Sequence, residues 1–178
     1  MDAIQKVRLA QEIYDVCHLT GRFVLRSGRV TNEYFDKYQL SAKSGLLYQI
    51  TKGMASLVPE DVEVIAGLEM GAIPVVTMLA HHTGLPSAFV RKQAKPHGTA
   101  RLAEGTLIEN KNVLVIEDVV TSGGQIVIST ADMRALGAKI SSALVIIDRQ
   151  DGGAKALQEI GVSLISLFNK SDFDSLSK

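Results

Sequence analysis

The chain lacks most of the features that would announce a specialised class. It holds one cysteine among 178 residues, which excludes an intrachain disulfide framework and any zinc site built on several thiolates. No apolar run approaches the roughly 20 residues that a bilayer span needs. The opening Met1-Asp2-Ala3-Ile4-Gln5-Lys6 carries charge where a secretory leader needs an unbroken apolar stretch. Neither sign of charge is in excess: Lys+Arg 19 stand against Asp+Glu 19, so a general affinity for nucleic acid or an anionic membrane cannot rest on bulk electrostatics. Also missing are the G-x-G-x-x-G dinucleotide fingerprint and the G-x-x-x-x-G-K-[ST] loop, and with them the ordinary NAD and nucleoside-triphosphate readings. Internal repeats and low-complexity segments are absent too. A soluble, cytoplasmic protein is the default expectation.

What is present describes a globular domain. A hydrophobic fraction of 46% with 21% charged residues lies far from the disordered corner of composition, and the length is that of one domain, residues 1–178. Ile4, Val7, Ala10, Ile13 and Cys17 fall three or four apart, the apolar stripe of an amphipathic helix. A second helix is expected over 42–57, with Pro59 beyond its end. Between them Phe23-Val24-Leu25 and Tyr34-Phe35 are short strand candidates around a turn at Arg26-Ser27-Gly28-Arg29. This irregular stretch, about residues 1–60, reads as a hood on the domain.

From Val62 the pattern becomes short apolar runs alternating with helical ones. Strands are expected at 62–66, 87–90, 112–116, 140–147 and 162–168, and helices at 74–82, 124–136 and 153–160. Near-continuous apolar strands joined by amphipathic helices predict an α/β fold: an open, mostly parallel sheet of about five strands, flanked by helices. Residues 91–111 do not fit the alternation. They hold Arg91, Lys92, Lys95, His97 and Arg101 around Pro96 and Gly98, and exceed the usual connection of about 2–6 residues; a lid or a solvent-facing hairpin is expected. The polar tail from Lys170 is expected to fray.

Ligands of open parallel sheets bind at the carboxyl ends of the strands, and the richest strand end here is Val113 to Gln125. A buried strand leads into two adjacent acids, Glu117 and Asp118, then a Thr121-Ser122-Gly123-Gly124 turn, then a helix start. Glycines let backbone N–H groups converge, the helix N-terminus adds partial positive charge, and two hydroxyls complete a cradle for a phosphate monoester. Carboxylates beside such a cradle do not favour further phosphate. They suit hydroxyl donors, so a sugar 5-phosphate with vicinal hydroxyls fits the pair.

Val115-Ile116-Glu117-Asp118-Val119-Val120-Thr121-Ser122-Gly123-Gly124 resembles the phosphoribosyl pyrophosphate (PRPP) motif of the type I phosphoribosyltransferases. Two further segments narrow the likeness to the orotate phosphoribosyltransferases. Phe23-Val24-Leu25-Arg26-Ser27-Gly28-Arg29 with Tyr34-Phe35-Asp36-Lys37 resembles their N-terminal orotate-binding segment, and Arg91-Lys92-Gln93-Ala94-Lys95-Pro96-His97-Gly98 their mobile loop. Asp148-Arg149 matches their orotate-contacting arginine. The resemblance implies the type I fold and transfer of phosphoribose from PRPP to orotate, giving orotidine 5'-monophosphate and pyrophosphate in pyrimidine synthesis. It implies Mg2+, held mainly by substrate oxygens, and a homodimer whose loops reach into each other's sites. Lys95, His97 and Asp118 take the catalytic roles in this likeness. PRPP falls to Arg91, Lys92, Lys95, His97, Glu117, Asp118, Val119, Val120, Thr121, Ser122, Gly123, Gly124 and Gln125, and orotate to Arg26, Phe35, Thr121 and Arg149. In one place the chain departs from many members: Glu69-Met70-Gly71-Ala72-Ile73-Pro74 has no lysine where they carry an aromatic-lysine pair. Position 26 holds Arg where the best-known members have Lys.

Two other functions share the motif. A purine phosphoribosyltransferase would keep the PRPP site, but Ser27-Gly28-Arg29 and Arg149 favour a carboxylated, anionic pyrimidine. A PRPP-sensing regulator would need an attached DNA-binding domain or a basic RNA-binding face, and the hood and zero net charge supply neither. Cys17, on the apolar stripe of the first helix, reads as a buried structural thiol. The adjacent His81 and His82 read as partners of a helix C-terminus rather than metal ligands. Phe168 and Phe173 read as packing residues.

Overall fold

The sheet is organised around its most apolar strand, β6 (Asn112–Val120). Val113 and Val115 point into one core while Leu114 and Ile116 point into the other, because a strand covered on both faces must be apolar at every position. In the computed structural model, residues 1–24, 28, 30–94, 101–174 and 176 are described. Around β6 lie β3 (Val64–Leu68), β4 (Ser87–Val90), β5 (Ala103–Gly105), β7 (Lys139–Asp148) and β8 (Ser163–Asn169), in the spatial order β5-β4-β3-β6-β7-β8. The five long strands are mutually parallel. Strand β5, a sixth beyond the five expected, arises within the 91–111 stretch and pairs antiparallel with β4.

Helices cover both faces. Helices α1 (Ala3–Cys17), α3 (Ser44–Ala55) and α4 (Ala72–Thr83) pack on one core, and α5 (Gly124–Ala135) and α6 (Gly153–Glu159) on the other. Helix α1 starts on a capping box in which the Asp2 side chain accepts from the Gln5 N–H and the Gln5 side chain from the Asp2 N–H. Gly84, at φ +71, closes α4 in the left-handed conformation that lets its N–H reach the Ala80 carbonyl.

Several expectations need correction. The stripe of α1 is buried at Leu9, Ala10, Ile13 and Cys17, whereas Ile4 and Val7 are exposed, since the first two turns run past the edge of the core. The single helix expected over 42–57 is a short turn, α2 (Gln39–Ala42), and then α3, separated where Lys43 adopts an extended conformation. The tail does not fray at Lys170: that residue opens α7 (Lys170–Asp174), which buries Phe173 against Phe35 and Phe168. Cys17 is fully buried, and burial first, then the nearby charge of Asp36, pushes its thiol up to about 12. His82 packs edge-on against Tyr48 in the last turn of α4. Among the described residues no helix is long and apolar enough to cross a membrane.

The stretch expected as a hood, about residues 1–60, contains an antiparallel hairpin, β1 (His18–Val24) with β2 (Val30–Phe35), that continues directly from α1, while α1 and α3 of the same stretch pack into the main core. The hairpin stands at the carboxyl end of the sheet. Numbering the parallel strands alone, the order is 2-1-3-4-5, so the switch in direction falls between β3 and β6. Doubly wound sheets open a crevice at that point.

Candidate active site

The crevice between the ends of β3 and β6 holds a cavity of about 400 Å³. One wall is the Glu69-Met70-Gly71 turn after β3, another is the loop from Thr121 to Gly124 leading into α5, and Lys37 and Lys92 complete it. Gly123 caps α5 at φ +78, a left-handed turn that glycine adopts without steric cost. The free N–H groups of the first turn of α5 therefore face the cavity, as an anion requires.

The two acids lie within the last four residues of β6, Glu117 lining the crevice and Asp118 buried behind it. Asp118 is almost wholly buried, and its Oδ1 accepts from the Lys37 ammonium at 2.9 Å and from the Val119 N–H at 2.7 Å. Glu117 Oε1 accepts from the Asp118 N–H at 3.1 Å. Burial, reinforced by the hydrogen bond to Asp118 and by its charge, pushes Glu117 up to about 8. Burial works against the charge on Lys37, but the hydrogen bond and charge of Asp118, with Glu117 behind, outweigh it and leave the ammonium more basic than usual. A proton held on Glu117 at neutral pH spares an arriving phosphate part of the repulsion that two ionised acids would exert.

This sets a pH dependence for the free protein. Folding moves Glu117 from its ordinary 4.5 to about 8, so between those values the folded chain holds a proton that the unfolded chain releases, and stability falls as pH rises through that window. Above about 8 the loss is complete. Melting curves from pH 4 to 9 should show this decline, and Glu117→Gln should flatten it. An equal slope in the variant would refute the assignment.

A second pair of cavities adjoins the first. Thr121 lines the crevice and also a cavity of about 300 Å³ shared with Arg149, Gln150, Asp151, Lys170 and Asp174. Arg149 in turn lines a larger space of about 410 Å³ beneath the hairpin, walled by Tyr14, His18, Phe35 and Phe173. Thus Thr121, Arg149 and Phe35, assigned together by resemblance, run in sequence from the crevice to the hood.

The remaining expected residues divide. Glu117, Val119, Val120 and the Thr121–Gln125 segment line the crevice, with Gln125 also held to Ser129 at 3.0 Å. Lys92 lines it as well, its backbone N–H donating to Glu69 Oε1 at 2.7 Å. Arg91 is not among the residues that line the crevice, and its Nε lies 3.8 Å from Glu104 on β5. Arg26, Lys95 and His97 lie outside the described residues. Two participants carried no role in the sequence. Lys37 stood within the quoted Tyr34–Lys37 segment, where a cation directly after a strand was its only signal. Gly71 preceded an apparently ordinary helix start.

Comparison with known proteins agrees with this arrangement. The phosphoribosyl transferase domain model matches residues 40–169. An orotate phosphoribosyltransferase of Nocardioides sp. is 40% identical over 94% of this chain and 93% of its own. The Mycobacterium tuberculosis orotate phosphoribosyltransferase superposes in its Fe(III) dicitrate complex with a TM-score of 0.86 at 30% identity, covering 94% of this chain and 98% of that one. Its complex with PRPP superposes with a TM-score of 0.82 at 26% identity, covering 96% and 99%. A domain match over most of the chain and relatives that span nearly all of it lead to one family: the chain belongs to the orotate phosphoribosyltransferases.

Proposed function

We propose that the chain transfers the 5-phosphoribosyl group of PRPP to orotate, releasing pyrophosphate and forming orotidine 5'-monophosphate for pyrimidine synthesis. The observation that carries this reading is that Thr121 lines both the crevice after β6 and the neighbouring cavity that contains Arg149. The Thr121–Gln125 loop and the start of α5 hold the 5'-phosphate, and Glu117 and Asp118 accept hydrogen bonds from the ribose hydroxyls. Arg149, with Arg26 and Phe35, receives orotate, where a guanidinium fork matches a carboxylate.

Charge leaves C1 of the ribose and gathers on the departing diphosphate. Cations fixed in advance around that group stabilise the transition state more than the ground state, and Lys92, Lys95 and His97 serve there. Arg91, which lies near Glu104 on β5 and does not line its own crevice, fits a loop that serves the neighbouring subunit of a homodimer. Glu69 presents a carboxylate to the crevice, and a magnesium ion takes one or two carboxylates while keeping water and substrate phosphate oxygens. This donor set fits an ion carried in on the diphosphate, where it neutralises developing charge. PRPP is too highly charged to cross a bilayer unaided, which favours a cytoplasmic reaction.

The test is an absorbance assay with PRPP and magnesium, offering orotate, uracil, hypoxanthine and adenine separately. Orotate alone should be consumed, and Lys95→Ala should lower kcat by about 10²–10³-fold, as loss of a transition-state cation does. Turnover of a purine would overturn the base assignment, and PRPP binding without turnover of any base would favour the sensor.

A further inference from the structure

PRPP, with three phosphoryl groups, would bring several negative charges into the crevice. Among the described residues its lining offers Lys37 and Lys92 against Glu69 and Glu117, with Asp118 directly behind. Lys37 comes from the segment after β2, outside the 40–169 match, and reaches across 81 residues of sequence to Asp118. An ammonium has three N–H donors. Asp118 takes one of them, the ammonium stands 5.6 Å from the centre of the Tyr38 ring, and among the described residues no other hydrogen-bond acceptor is bonded to Lys37. Its side chain is 37% exposed while the Asp118 side chain is 2% exposed, so the pair is anchored at the acid and open at the lysine.

The chemistry of the substrate selects what those donors meet. The ribose hydroxyls are neutral and are served by carboxylates, and the 5'-phosphate is served by the N–H groups at the start of α5. The diphosphate carries the larger part of the charge of PRPP, and among the described residues that line the crevice Lys37 and Lys92 are the two ammonium groups. We infer that Lys37 binds the diphosphate of PRPP directly, with Asp118 as the counter-ion that holds the ammonium in place before substrate arrives. This rests on the proposed PRPP site. Asp118 and Glu117 also keep Lys37 charged despite its partial burial, so no protonation step precedes binding. Met70 lines the same crevice, is 65% exposed and is uncharged; a lysine there could approach the diphosphate from the opposite wall.

The test titrates the full chain calorimetrically with pyrophosphate in magnesium buffer and, separately, with ribose 5-phosphate. Lys37→Met should weaken pyrophosphate by about 10- to 100-fold, the range for a lost charged hydrogen bond, and leave ribose 5-phosphate unchanged. Lys37→Gln, which keeps a donor for Asp118 but no charge, should behave alike, and it replaces the methionine variant should that one fail to fold. Lys37→Arg should retain most of the pyrophosphate affinity, and Met70→Lys placed in Lys37→Met should recover much of it. Equal weakening of both ligands would mean that Lys37 acts only through Asp118, and undiminished pyrophosphate binding would mean that it does not reach the diphosphate. Either result overturns the inference. Neither ligand involves orotate, so an error in the base assignment appears only in the absorbance assay.

Discussion

Gly71→Ala is expected to lower kcat/KM by about 10²–10³-fold, an effect on the scale of two lost charged hydrogen bonds, and to lower the melting temperature as well. Gly71 adopts φ −64 and ψ −33, a backbone conformation open to any residue, so its glycine is not there for the turn. A Cβ built on it would stand where the Asp118 carboxylate sits. Alanine therefore forces that carboxylate aside and breaks its bonds to Lys37 and the Val119 N–H. The backbone itself gains about 0.4–1 kcal/mol from replacing glycine at a compatible position, which offsets only part of the crowding and of the broken ion pair. Steady-state kinetics with a parallel thermal melt would check both halves. Combining it with Asp118→Ala should cost little more than Asp118→Ala alone, because both changes remove the same carboxylate. Full activity in Gly71→Ala would mean that Asp118 does not work from the position described.

Gly153→Ala should raise the KM for PRPP by about 10- to 100-fold and destabilise the fold by about 1–3 kcal/mol, the usual cost of overpacking. Gly153 is the first residue of α6, well outside the phosphate motif. A Cβ there would lie 2.6 Å from the Thr121 carbonyl oxygen and 2.7 Å from Val120 Cγ2. Across the same contact, a Cβ on Gly123 would lie 2.7 Å from Leu157 Cδ1 and 3.2 Å from Gly153 Cα. The phosphate loop and the start of α6 are thus pressed together through two bare backbones. Adding a methyl group must move the loop, because a carbonyl oxygen cannot swing aside as a long side chain can. Ribose 5-phosphate binding would weaken in step with the PRPP KM. An unchanged PRPP KM would show that the loop does not depend on this contact.

The parts of the molecule that were legible in the sequence are those whose signal is contiguous. β6 and β7 are apolar on both faces and long enough to identify, and the acids and small residues after β6 follow one another without interruption. Strand β5 was not legible, since Ala103-Glu104-Gly105 carries no β-branched or aromatic residue and owes its strand to the backbone of β4. Helix α7 was hidden because five residues are too few for periodicity; Phe173 alone pointed inward, and it was read as a packing residue without the helix around it. In the site, Thr121, Arg149 and Phe35 were named by resemblance, but their shared wall depends on how the hairpin and α7 close over the sheet. Lys37 and Gly153 meet their partners only through tertiary contact, so no local pattern could have marked them.

The domain common to the family begins near residue 40, and the hairpin that faces the base chamber lies ahead of it. This invites a modular view, in which the hood chooses the base and the sheet handles the ribose and phosphates. The bond from Lys37 to Asp118 crosses that boundary. A chimera that takes its first 39 residues from another family member therefore exchanges half of an ion pair along with the hairpin. Such a graft works only when the donor brings a cation to the same place, so base preference and PRPP binding cannot be inherited as independent parts.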